Sequence, residues 1–93
     1  MIASFKDADT KLLYETGKSR RIPAGIRRAA MRKLVMLDKV QKLEYLRIPP
    51  ANHLEVLTGD RAGQHSIRIN DQFRLCFVWR EGDAYDVEIV DYH

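Results

Sequence analysis

Arg68, Arg74 and the closing run Asp91-Tyr92-His93 bring guanidinium, carboxylate, phenol and imidazole groups into the second half of this 93-residue sequence. Such a set suits work on a phosphodiester. Metal-free cleavage of RNA needs a group that assists attack by the ribose 2′-oxygen, a cation beside the charged phosphate, and a group that protonates the leaving 5′-oxygen. In that chemistry Arg74 would stabilise the phosphate through donors matched to its oxygens. His93 would act as acid or base, because imidazole titrates close to neutral pH. Tyr92 would stack on a base or hydrogen-bond the backbone, and Asp91 would orient a neighbour or serve as base. On spacing alone, a plain strand end and a solvent-facing arginine account for the same residues.

Other chemistries find less support. There is no phosphate-binding glycine loop, no paired-cysteine zinc pattern and no His-Glu-x-x-His helix. His53, His65 and His93 stand far apart in the sequence, so neither a metal nor another cofactor is expected. Cys76 is the single cysteine and cannot form an internal disulfide; its apolar surroundings suggest a buried thiol. The N-terminal stretch turns charged at once, with no extended apolar segment, which leads us to expect an intracellular, cytoplasmic protein.

A formal charge of +3 and a pI near 9.2 permit a polyanionic partner. The positive charge is concentrated. Lys18, Arg20, Arg21, Arg27, Arg28, Arg32 and Lys33 fall within residues 18–37, a stretch without one acidic residue. They would track along an RNA backbone, receive an acidic protein, or form an ordinary solvated helix face; the sequence leaves all three open.

The elements that must carry these groups are legible in the periodicity. Residues 2–5 read as a short strand, and Asp7 or Asp9 should cap a helix that runs through Thr16 and stops at Gly17. A longer helix enters near Pro23, with Ile26, Ala30, Leu34 and Leu37 at helical spacing and Ala29, Met36 and Val40 widening the apolar stripe. A helical turn over residues 42–46 precedes Ile48-Pro49-Pro50. Strands are then expected over residues 54–57, 66–69, 73–79 and 85–90, rich in β-branched and aromatic residues. The architecture implied is a single α+β domain over residues 1–93, with two helices on one face of an antiparallel sheet.

Alternation assigns Ile67, Ile69, Phe73, Leu75, Phe77, Trp79, Tyr85, Val87 and Ile89 to the core face. Pairing Ile69 with Phe73 leaves a three-residue loop, Asn70-Asp71-Gln72. Pairing Trp79 with Tyr85 leaves a five-residue loop and sets Leu75 opposite Ile89 and Arg74 opposite Val90. Arg68, Arg74 and Tyr92 then share the open face.

Over essentially its full length the chain resembles the HigB-like toxins of the RelE/ParE superfamily, close to the GraT/HigB branch. The resemblance rests on Met1-Ile2-Ala3-Ser4-Phe5, on Gly59-Asp60-Arg61-Ala62-Gly63-Gln64-His65-Ser66-Ile67, on Phe73-Arg74-Leu75-Cys76-Phe77, and on Gly82-Asp83-Ala84-Tyr85 with the terminal Asp91-Tyr92-His93. Their order and spacing make the combination specific. The resemblance implies a RelE-like fold, two N-terminal helices on a twisted antiparallel sheet, and an endoribonuclease that cuts mRNA in the ribosomal A site without a metal. It also implies a HigA-like helix-turn-helix antitoxin, whose complex with the toxin represses their shared operon by binding operator DNA. The phosphate-binding arginine then falls on Arg74 and the C-terminal catalytic group on Asp91, Tyr92 and His93. Arg61, Arg68, Arg20, Arg21, Arg28 and Arg32 become candidate contacts to mRNA or ribosomal RNA.

This sequence departs from the family pattern at one place. Members often carry His-Pro-Leu-Lys-Gly-Asp-Arg, whereas this chain reads Glu55-Val56-Leu57-Thr58-Gly59-Asp60-Arg61 and loses both basic positions. His53, two residues upstream on the expected strand face, would be displaced by roughly 6 to 7 Å. Glu55 is then a possible replacement base or a surface carboxylate that weakens the enzyme. Two further readings stay open: a ParE-like inhibitor of DNA gyrase without nuclease activity, and a weakened toxin acting mainly as co-repressor.

Overall fold

A computed structural model describes residues 1–91 of the chain; Tyr92 and His93 lie outside the described residues. Asp7 opens the first helix, α1 (Ala8–Thr16), by accepting from the Thr10 amide at 2.9 Å and from the Thr10 hydroxyl at 2.7 Å. Gly17 closes it in the left-handed conformation, φ 78°, with its amide donating to the Leu13 carbonyl. A 3-10 turn over Ala24–Ile26 then leads into α2 (Arg27–Lys39). The expected stripe of α2 is the one that packs: Ile26, Ala30, Leu34 and Leu37 are buried.

The second half forms a sheet of four antiparallel strands in sequence order, β1 (Glu55–Val56), β2 (His65–Arg68), β3 (Phe73–Arg80) and β4 (Asp83–Asp91). Ile67, Leu75, Phe77, Ala84 and Val87 are buried in one cluster with Leu13, Leu34 and Leu37 from the helices. Residues 2–5 do not make a full strand. They run parallel beside β4 through two isolated bridges, Ile2 to Ala84 and Phe5 to Val87.

The β3–β4 hairpin differs from the simple pairing in an instructive way. Trp79 pairs with Ala84 and Arg80 with Asp83, so the turn is the two-residue Glu81-Gly82, with φ 49° and 85°. Two left-handed residues make a turn whose twist matches that of the strands. The register then shifts between Cys76 and Val78, where Asp86, φ 51°, is the additional residue on β4. A tight turn plus one bulged residue restores the register of a longer loop, so Leu75 still faces Ile89 and Arg74 still faces Val90. Tyr85, however, lies opposite Val78, off the core face, with the Arg80 guanidinium 4.4 Å above its ring. On the β2–β3 side, the Ile69 amide donates to the Phe73 carbonyl at 2.9 Å, which closes the three-residue loop expected from the sequence.

Between helix and sheet, Asn52 ties the two halves together. It is fully buried; its amide nitrogen donates to the Leu46 carbonyl at 3.0 Å and its oxygen accepts from Lys33 Nζ at 2.6 Å. Lys33 is therefore an internal strut, its pKa lowered by burial and by neighbouring Arg32. Asn52→Leu should strand both partners and destabilise the protein by about 1–3 kcal/mol. Thermal unfolding should register this as a clear fall in Tm.

Candidate active site

The face of the sheet turned away from the helices holds Ser66 and Arg68 on β2, Arg74 and Cys76 on β3, and Glu88 and Val90 on β4, set opposite one another by register. Arg68 and Arg74 are direct cross-strand partners. Two like charges so placed repel unless each has a counter-charge. Asp71 pairs with Arg68 across the β2–β3 turn, and Glu55 approaches Arg74 Nη1 at 3.4 Å.

Arg74 is held over the length of its guanidinium. Its Nε donates to the Ser66 hydroxyl at 2.9 Å and its Nη2 to the His53 carbonyl at 2.6 Å, and its side chain is only 12% exposed. Glu55 is half exposed on an edge strand of two residues. The arginine is thus pre-set by a fully buried serine and a backbone carbonyl, while the neighbouring Glu55 carboxylate, half exposed, has room to move aside. An anion replacing that carboxylate would meet a guanidinium whose rotamer is already fixed.

His53 enters this arrangement through its backbone. It follows the 3-10 turn Pro50–Asn52, with φ 45°, and its side chain is exposed. The expectation that it continues the face of the β1 strand therefore fails, since a left-handed residue breaks the alternation before β1 begins. Asp91, opposite Phe73 by register, accepts from Gln72 Nε2 at 3.1 and 3.2 Å. Register puts its Cα on the alternate that serves the Phe73 face, next to the end of the Arg74 row. Tyr92 and His93, the remainder of the predicted catalytic group, fall outside the described residues.

Burial disfavours the charged forms of both Cys76 and His65. Burial pushes the Cys76 thiol up from its ordinary pKa, an effect partly countered by Arg61. His65 stacks on Phe77 with ring centroids 6.0 Å apart, on the helix side of the sheet, and burial lowers its pKa. A partly buried imidazole binds a proton less readily in the folded than in the unfolded chain. Stability should be present above the unfolded pKa of about 6.5 and be lost as pH falls below it. His65→Phe should flatten that part of a Tm-versus-pH curve, and an unchanged curve would contradict the assignment.

The basic stretch divides. Arg20, Arg28 and Arg32 are exposed, and Arg21 is exposed but 3.7 Å from Asp9. Arg27 turns inward to the carbonyls of Ser19 and Ile22, and Lys33 is bound to Asn52. Both are partly buried and engaged in bonds within the fold. The exposed arginines lie on the helical layer and Arg74 on the far side of the sheet, so the two groups would meet different parts of a large partner. Among the described residues no three His, Cys, Asp or Glu side chains gather as a metal set, and no helix is long and apolar enough to cross a membrane.

Sequence reasoning missed Ser66 as the anchor of Arg74, although Ser66 lies in the Gly59–Ile67 segment that carried the resemblance. It missed Glu88 and Lys6 altogether. Glu88 is largely buried and receives Lys6 Nζ at 3.2 Å and Arg61 Nη1 at 3.3 Å.

The fold is similar to that of a chain in the YoeB-YefM complex from Staphylococcus aureus, with a TM-score of 0.56 at 17% identity over 100% of this chain and 98% of the other. The family model for the HigB-like toxin, described as the RelE-like toxin of the type II toxin-antitoxin system HigB, matches residues 3–93, and the chain belongs to that family. It is 46% identical over 85 residues to Toxin HigB-1 of Vibrio cholerae serotype O1, covering 90% of each chain. It is 34% identical over 93 residues, the whole of both chains, to Endoribonuclease HigB of Proteus vulgaris.

Proposed function

We propose that this toxin is a ribosome-dependent, metal-independent endoribonuclease that cuts mRNA during translation in the cytoplasm. The observation that carries the reading is Arg74, fixed at Ser66 and at the His53 carbonyl beside a displaceable carboxylate. Identity to a relative named as an endoribonuclease supports it.

In this reading the scissile phosphate takes the place of Glu55 on Arg74, which stabilises the charge that develops as the 2′-oxygen attacks phosphorus. The displaced Glu55 carboxylate, at the same locus, accepts the 2′-hydroxyl proton. As the bond from phosphorus to the 5′-oxygen breaks, His93 supplies the proton to that oxygen, with Asp91 and Tyr92 orienting it. The products are a 2′,3′-cyclic phosphate and a 5′-hydroxyl. Arg68 and Arg61 flank the path of the strand, while Arg20, Arg21, Arg28 and Arg32 face ribosomal RNA. A HigA-like helix-turn-helix antitoxin neutralises the toxin and represses the operon with it.

The test is cleavage of one mRNA by purified protein with and without programmed ribosomes, in the presence of a chelator. Cutting only in the ribosomal reaction is expected. Intact mRNA under both conditions, with gyrase-linked DNA breaks in cells expressing the protein, would favour inhibition of gyrase instead. Intact mRNA with normal growth would favour a co-repressor.

A further inference from the structure

Lys6, Arg61 and Glu88 form a second cationic cluster on the same sheet face as Arg74. Glu88 Oε2 is the shared acceptor, and its side chain is 16% exposed. Both cations converge on that single oxygen, so two positive charges are held by one negative charge. Arg61 Nη1 also donates to Gln64 at 3.1 Å; its Nε and Nη2 have no partner among the described residues. Lys6 is 54% exposed, and the backbone beneath it is fixed by its amide bond to the Val87 carbonyl at 3.0 Å. The cluster is thus anchored from below, carries a net positive charge, and is open to solvent in part, with the Lys6 side chain 54% and the Arg61 side chain 30% exposed.

Its position relative to Arg74 follows from the register. Glu88 faces Cys76, two residues along β3 from Arg74 and on the same face. Rows on one face of a strand are roughly 6.5 to 7 Å apart, a spacing of the order of one nucleotide of extended single strand. Arg61 and Arg74 both act electrostatically on the Cys76 thiol between them.

We infer that Lys6 and Arg61, positioned by Glu88, form a second phosphate subsite that holds an RNA phosphate next to the one on Arg74. The inference rests on the RNA-cleaving reading of the Arg74 site. Its role is to set the register of the strand, so it contributes to binding and leaves the chemical step to the Arg74 site.

Lys6→Met keeps the side-chain stem and removes the charge; Lys6→Arg restores a cation. On programmed ribosomes, Lys6→Met should raise KM for mRNA cleavage about 3- to 10-fold with kcat unchanged, and Lys6→Arg should recover most of it. Binding of the purified toxin to a single-stranded RNA carrying a 2′-O-methyl group at every position, followed by fluorescence anisotropy across a salt series, reads the contact without cleavage. The slope of log affinity against log salt should shrink by about 0.7 for one lost phosphate contact. An unchanged salt slope, or a KM effect that Lys6→Arg fails to rescue, overturns the subsite, as does a loss that follows a lowered Tm alone. If the wild-type protein leaves mRNA uncut, the proposed function fails while the salt slope still decides the subsite.

Discussion

Replacing Arg74 by alanine should lower mRNA cleavage on programmed ribosomes by about 10²- to 10³-fold, the usual scale for losing one aligned charge-stabilising donor at a reaction centre. The effect should fall on kcat as well as kcat/KM, because the charge on the phosphate increases in the transition state. Arg74→Lys should recover little, since an ammonium cannot reproduce the Nε bond to Ser66, the Nη2 bond to His53 and the bond to phosphate together. Circular dichroism and Tm separate this from misfolding. Glu55 is half exposed, so losing its partner should cost the fold little. Near wild-type cleavage by a folded Arg74→Ala variant would remove the arginine from the mechanism.

The second large effect is expected at His93. As the general acid for the leaving 5′-oxygen, it should contribute about 10²- to 10⁴-fold to the rate. His93→Ala should lower kcat on that scale and abolish the fall in rate at high pH that an imidazolium acid imposes. With the upstream histidine and lysine of many relatives replaced by Glu55 and Thr58, the other histidines are His53, on the turn before β1, and His65, stacked on Phe77 on the helix side of the sheet. Single-turnover cleavage across a pH series checks both statements. A pH limb that survives in His93→Ala would transfer the acid role elsewhere.

Local patterns carried much of the fold. The stripe of α2 was readable because every fourth or third residue from Ile26 to Leu37 is apolar, and packing against the sheet realised that stripe. Strand alternation put Arg68 and Arg74 on one face and opposite each other, as observed. The β3–β4 hairpin shows the limit of alternation. It reports a face and a register, and a two-residue turn with a bulge at Asp86 gives the same downstream register as a five-residue loop. Only Asp83, Ala84 and Tyr85, between turn and bulge, betray the difference.

The site was less legible where contacts span the chain. Alternation had no means of joining Arg74 to Ser66 and the His53 carbonyl, because the path into β1 depends on the 3-10 turn before it and on Asn52 bonded to Lys33 of α2. The Lys6–Glu88–Arg61 cluster likewise needs the N-terminal segment laid along β4, an arrangement that residues 2–5 alone do not specify. Conversely, the basic stretch looked uniform in sequence, and two of its members, Arg27 and Lys33, serve the fold.

The most direct measurement is a map of mRNA 5′ ends after a brief pulse of toxin expression without antitoxin. New 5′-hydroxyl ends are expected within translated regions, in phase with codons, and should be lost in cells expressing Arg74→Ala. New ends scattered without reading-frame phase, or equally frequent in untranslated RNA, would contradict cleavage on the ribosome.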